Sequence, residues 1–144
     1  MIFKQSITNL PTYNDGYFKL YQIKQKELEN TAYPIEYLAE FEDTKQTGIN
    51  YKEIWFEELS ITDRLKFDAE ERKKKITCKL RIPQIKEIDS LCVVKIDEKY
   101  HKVFNAYHFT NKDGFKQTDL TLEEYTRVKF EKDVISEWWI KKNC

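Results

Sequence analysis

The stretch Ile76-Thr77-Cys78-Lys79-Leu80-Arg81-Ile82-Pro83 decides the fold. Ile76, Cys78, Leu80 and Ile82 alternate with Thr77, Lys79 and Arg81, the period of two of a half-buried strand. Pro83 stops it. Toward the C-terminus, Leu91 to Ile96 reads as a mostly apolar strand. Asp97-Glu98-Lys99 turns it into a strand from Tyr100 to Phe109. Asn111-Lys112-Asp113-Gly114 is a second hairpin turn, with Gly114 free to take positive φ. The return strand runs from Phe115 to Leu122, where Thr118, Leu120 and Leu122 alternate.

Toward the N-terminus, a helix fits from about Asp63 to Lys74, with Thr62 or Asp63 as its cap. Leu65, Ala69 and Arg72 share a face of it. Its acidic residues precede the basic run Arg72-Lys73-Lys74-Lys75, an order that suits the helix dipole; phosphate contact is the functional alternative for that run. Tyr51 to Ser60 is a strand with Ile54, Phe56 and Trp55 as candidate packing residues, and Pro34 to Phe41 another, with Ile35, Tyr37, Ala39 and Phe41 on one face. Tyr17 to Ile23 follows the turn signal Asn14-Asp15-Gly16 and is rich in strand-favouring aromatics. Several short strands with one helix predict a mainly-β fold, a small antiparallel β-barrel or sandwich. The domain is expected over residues 1–130, with an amphipathic tail over 131–144. In that tail, EKDVISEWWIKKNC, Val134, Ile135, Trp138, Trp139 and Ile140 follow helical spacing. Trp138 and Trp139 need a partner, either the domain's own core or a neighbouring subunit.

Composition bounds the function. The chain has 144 residues, 40% hydrophobic and 15% aromatic, with only three Gly and three Pro, which excludes disordered and collagen-like architectures. Its 25 basic and 25 acidic residues cancel, which disfavours a general polyanion binder. The balance is uneven along the chain: residues 1–72 carry a net charge of −5 and residues 73–144 a net of +5. Opposite halves could pair between copies. Cys78, Cys92 and Cys144 form no metal-binding spacing, and Cys78 reads as a small core residue. A reducing compartment or no use of disulfides is expected. With no signal-peptide pattern and no apolar run long enough to span a bilayer, a soluble protein without membrane partners is expected.

Catalytic signatures are missing from the sequence. No nucleophile elbow, Walker loop, HExxH pair or dinucleotide fingerprint occurs. His101 and His108 stand seven residues apart on one expected strand, which points them to opposite faces. The pairs Glu57-Glu58, Glu70-Glu71 and Glu123-Glu124 are sequence neighbours and poor paired carboxylates. No catalytic, metal or cofactor site is expected, and a binding or structural protein is favoured over an enzyme. Phe18-Lys19, Tyr100-His101-Lys102 and Phe115-Lys116 also fit the stacking platforms of single-strand nucleic-acid binders, which keeps that reading as an alternative.

The segment from Tyr51 to Leu122 resembles the head-closure, or head–tail joining, proteins of tailed bacteriophages. Five features carry the likeness. They are the strand Glu53-Ile54-Trp55-Phe56, the short segment Phe67-Asp68-Ala69, the strand Thr77 to Ile82, the hairpin Asp97 to Val103, and the final strand Asp119-Leu120-Thr121-Leu122. The resemblance covers about half the chain. It implies a small β-barrel with one helix that assembles as a ring, commonly of twelve copies. Such a ring closes the portal channel after DNA packaging and presents a platform to the tail. The implied partners are the portal or adaptor, tail proteins and further copies of the chain, with packaged DNA nearby but not read by sequence. The implied location is the virion's head–tail junction, and the host cytoplasm during assembly. A neighbouring tail-completion protein is the variant reading. The expected contact residues are Trp138, Trp139 and Ile140 in the tail and the cluster Arg72, Lys73, Lys74 and Lys75. Candidate channel loops are Lys24 to Tyr33 and Thr44 to Asn50.

Overall fold

The computed structural model describes residues 10–27 and 32–134. Seven antiparallel strands dominate: β1 (Gly16–Lys26), β2 (Ile35–Glu40), β3 (Ile54–Leu59), β4 (Ile76–Pro83), β5 (Cys92–Ile96), β6 (Lys99–Thr110) and β7 (Lys116–Glu124). One helix, α1 (Asp63–Glu71), joins β3 to β4. The fold is mainly β, as expected. Pairing runs β1–β3–β4–β7–β6–β5, and β5 returns to β1, so the sheet closes in a ring. Closure leaves these strands without a long free edge. β2 extends the edge of β1 that β3 uses first: Leu20 donates its N–H to the Tyr51 carbonyl and accepts from the Phe41 N–H.

Alternation fills the interior. Phe18, Leu20, Ile54, Phe56, Leu80, Ile82, Cys92, Val94, Val103, Leu120 and Leu122 all point inward and are buried. β4 follows the alternation of Leu80 and Ile82 and ends at Pro83. A second, outer cluster forms where Tyr21, Ile23, Leu38 and Val93 meet Tyr100, Tyr125, Val128 and Phe130. Here the structure corrects the reading of β2. Its buried residue is Leu38, while Ile35, Tyr37 and Ala39 on the opposite face are only partly covered. The segment after β7 causes this: Leu38 donates its N–H to the Lys129 carbonyl at 2.7 Å, and Phe130 bridges it in parallel. A helical turn follows over residues 131–134, where Val134 is buried.

Three local geometries carry strain or tight fit. The β5–β6 hairpin pairs Ile96 with Lys99, so Asp97 and Glu98 form a two-residue turn with φ of 47° and 66°. That is the mirror-image turn that hairpins favour, built here without glycine. α1 starts at Thr62, whose Oγ1 accepts the Leu65 N–H at 3.2 Å, as expected of a cap. It ends three residues sooner than expected. Lys73 takes φ 58° and donates its N–H to the Glu70 carbonyl, while the Lys74 N–H reaches the Ala69 carbonyl. This is a Schellman stop with lysine in the left-handed position. The basic run therefore lies past the helix, and its dipole explanation does not hold: no basic residue stands in the last turn.

Two bulges change which side chains share a face. Thr77 is an extra residue in β4, between the pairs Ile76–Glu123 and Cys78–Leu122. Phe104 is an extra residue in β6, between Val103–Leu122 and Asn105–Thr121. Each extra residue flips the alternation beyond it.

Candidate interaction surface

The residues that could carry chemistry are held in structural bonds. Because of the Phe104 bulge, His101 and His108 occupy the same face of β6, not opposite faces. His101 sits opposite Val94 and Glu124, and His108 opposite Thr118. They stand at opposite ends of the strand, roughly 23 Å apart at the usual strand rise. His101 Nδ1 bonds the Thr77 hydroxyl at 2.9 Å, and His108 Nδ1 bonds the Thr118 hydroxyl at 2.7 Å. Burial, with Lys99 adding to it, lowers the His101 imidazole below its ordinary 6.5. Burial pushes the Cys92 thiol up to about 12 and raises that of Cys78 as well, so neither is an activated nucleophile. Among the described residues, no group of three or more His, Cys, Asp or Glu side chains could hold a metal ion.

The basic run is largely spent. Lys74 pairs with Glu123 at 3.5 Å and Lys75 with Glu124 at 3.7 Å, both at the end of β7. These pairs also separate Glu123 from Glu124. Arg72 caps α1 through its backbone, and Lys73 forms the left-handed turn. Lys73, Lys74 and Lys75 line one cavity of about 310 Å³, which they share with Glu123, Glu124 and Thr126. Trp138, Trp139 and Ile140 lie outside the described residues.

Of the rings proposed from sequence as a stacking platform, Phe18 turns inward, while Tyr100 and Phe115 are only partly covered. Phe18 is fully buried, and Tyr100 packs on Tyr21 and Phe130. The exposed aromatics are others. On the outer face, Tyr17 of β1 lies opposite Trp55 of β3, ring centroids 5.2 Å apart. Trp55 donates its indole N–H to Glu53 at 3.1 Å. One strand further, Arg81 of β4 grips Asp119 of β7 with two bonds of 2.8 and 3.0 Å. Its guanidinium lies 5.2 Å from the Phe109 ring, which stacks on Tyr107 at 5.3 Å and 13°. The Asp119 hydrogen bonds raise the Arg81 pKa, so the cation is secure. Tyr13 reaches β7, its hydroxyl accepting from Gln117 Nε2 at 2.9 Å. Tyr17, Trp55 and Tyr107 remain 55%, 45% and 60% exposed. The outer face thus carries two separate aromatic pairs, Tyr17–Trp55 on β1 and β3 and Tyr107–Phe109 on β6. Tyr107 borders a cavity of about 330 Å³ beside α1, lined by Leu65, Asp68, Lys79 and Asn105 among others.

Sequence reasoning missed both outer pairs. The signal was present in β3, where Ile54 and Phe56 on the inner face force Trp55 outward. For Tyr107 and Phe109 the signal was hidden by the bulge at Phe104. Among known proteins, no family model matches the chain and no curated protein matches it. No described helix is long and apolar enough to cross a membrane.

Proposed function

We propose that this chain is a non-catalytic structural subunit that joins phage head and tail, assembling as a ring that closes the portal channel. The observation that carries the reading is the contrast between interior and exterior. The closed sheet has an interior filled with aliphatic and aromatic side chains, and its polar residues are engaged in structural bonds. Its outer face carries two aromatic pairs, Tyr17–Trp55 and Tyr107–Phe109, with Tyr and Trp among the side chains that anchor protein contacts. The resemblance from Tyr51 to Leu122 supports the choice of a head–tail junction among possible assemblies.

The single-strand nucleic-acid reading loses one of its rings, because Phe18 is fully buried.

The test is co-assembly with portal and adaptor, imaged as particles. The chain is expected as added ring density below the adaptor. Particles that never acquire it, with all components folded, would contradict the proposal.

A further inference from the structure

We propose that a cavity at one rim of the closed sheet is a binding site for a small aromatic anion, a planar ring bearing a phosphate or a carboxylate. The cavity holds about 590 Å³, inside the range of roughly 300–1,000 Å³ typical of small-molecule sites. It lies where β4 and β6 begin and β7 ends, at the mouth of the closed sheet. Mouths of closed sheets are a common place for ligands. The site does not depend on the connector reading.

Two local irregularities build it. Thr77, the extra residue of the β4 bulge, meets His101, its hydroxyl 2.9 Å from Nδ1. That hydroxyl donates to the Leu122 carbonyl at 3.3 Å, so its oxygen accepts from the Nδ1–H. Nε2 is thereby the ring nitrogen left for a ligand. The second irregularity is the two-residue turn at Asp97 and Glu98, which delivers Lys99 to the same rim.

Rings form the wall. Tyr100 and Tyr125 line the cavity beside the His101 imidazole. Tyr100 is held by Tyr21 and Phe130, with centroids 5.7 and 6.2 Å away, so it is ordered before a ligand arrives. Such a wall favours a planar ligand. Charge then selects the anion. Of the four charged side chains lining the space, Lys75 pairs with Glu124 at 3.7 Å. Glu98 pairs with Lys95, which stands outside the cavity, at 3.4 Å. Among the described residues no carboxylate pairs with Lys99. Lys99 is near enough to His101 to disfavour its protonation. An anion beside Lys99 neutralises that repulsion, so the ammonium and the imidazole favour it together.

The test is NMR on the full chain without added histidines, in which His101 and His108 give the only imidazole signals. His108, near the other end of β6, is the internal control. Adenosine monophosphate, 4-hydroxybenzoate, adenosine and inorganic phosphate are titrated separately. At least one of the first two should shift the His101 signals, with half-saturation below about 5 mM, and leave His108 in place. Which of them does so tells a phosphate from a carboxylate as the anionic group. The bound anion should also move the His101 titration to higher pH. Lys99 is exposed, so Lys99→Ala leaves the fold intact and should weaken binding about tenfold. No His101 shift with either ring-bearing anion up to about 10 mM would overturn the site. So would equal affinity for adenosine or phosphate alone, equal shifts of both histidines, or unchanged affinity in Lys99→Ala.

Discussion

Lys73 shows most simply how a single residue is held against its preference. Its φ of 58° is a region where a Cβ costs energy and glycine does not. Lys73→Gly is therefore expected to stabilise the fold by about 1 kcal/mol, seen as a rise in Tm of roughly 2–4 °C. Glu98→Gly should act likewise in the two-residue turn. A fall in Tm for both would show that these side chains hold contacts worth more than the strain. Gly16 is the converse. A Cβ there would stand 2.9 Å from Cζ of Phe56, a buried ring of the inner cluster. Gly16→Ala should cost about 1–3 kcal/mol in a urea titration; no loss would mean the ring has room to move. His101 gives a pH signature. Its imidazole is lowered in the folded chain, so folding favours the neutral ring. The stability it contributes is complete above about pH 6.5 and is lost as pH falls toward the folded value. His101→Gln should flatten the dependence of the urea midpoint between about pH 7 and pH 5. An unchanged slope would assign that dependence to other groups. The turn at Asn111 to Gly114 was legible because its chemistry is local. Asn111 Oδ1 accepts the N–H of Asp113 and of Phe115, and Gly114 has φ 88°. The Lys73 turn was not legible, since no glycine marks it.

At the scale of elements, β4 and β7 form the spine between the two faces. β7 is buried on both sides: Thr118, Leu120 and Leu122 face inward, and Gln117, Asp119, Thr121 and Glu123 are covered from outside. Asp119 tolerates that burial because Arg81 meets it with two bonds. Arg81→Ala should cost about 2 kcal/mol, by stranding a covered carboxylate. Arg81→Lys should recover only part, since a point charge cannot replace the planar fork. Equal stability of all three chains would show that water serves Asp119 as well as the guanidinium does. The strand β4 was readable because Leu80 and Ile82 alternate within a short window. β2 was misread because its partner lies far along the chain: Leu38 is buried by Phe130, which no local pattern reveals. The bulges at Thr77 and Phe104 were equally hidden. Each is set by register against β7, and each decides which side chains share a face. The histidines illustrate the consequence. They do not form a joint site, but distance along β6 separates them, not the pleat.

For the whole molecule, the alternating pattern sufficed to anticipate an antiparallel, mainly-β fold with one helix. It could not show that β5 returns to β1, because closure depends on strand order. Nor could it show the two outer aromatic pairs, which depend on the pairing of β1 with β3 and on the Phe104 bulge in β6. Those two features set the account of function. The closed sheet fills its interior with apolar side chains, and we therefore assign contacts to the outer face. The measurement that bears most directly on the central claim is electron cryomicroscopy of purified phage particles carrying this chain. A ring of its closed sheets is expected at the junction between portal and tail, with the β-rich domain resolved as a repeating unit. Particles whose junction is fully accounted for by other proteins, with this chain absent, would contradict the account.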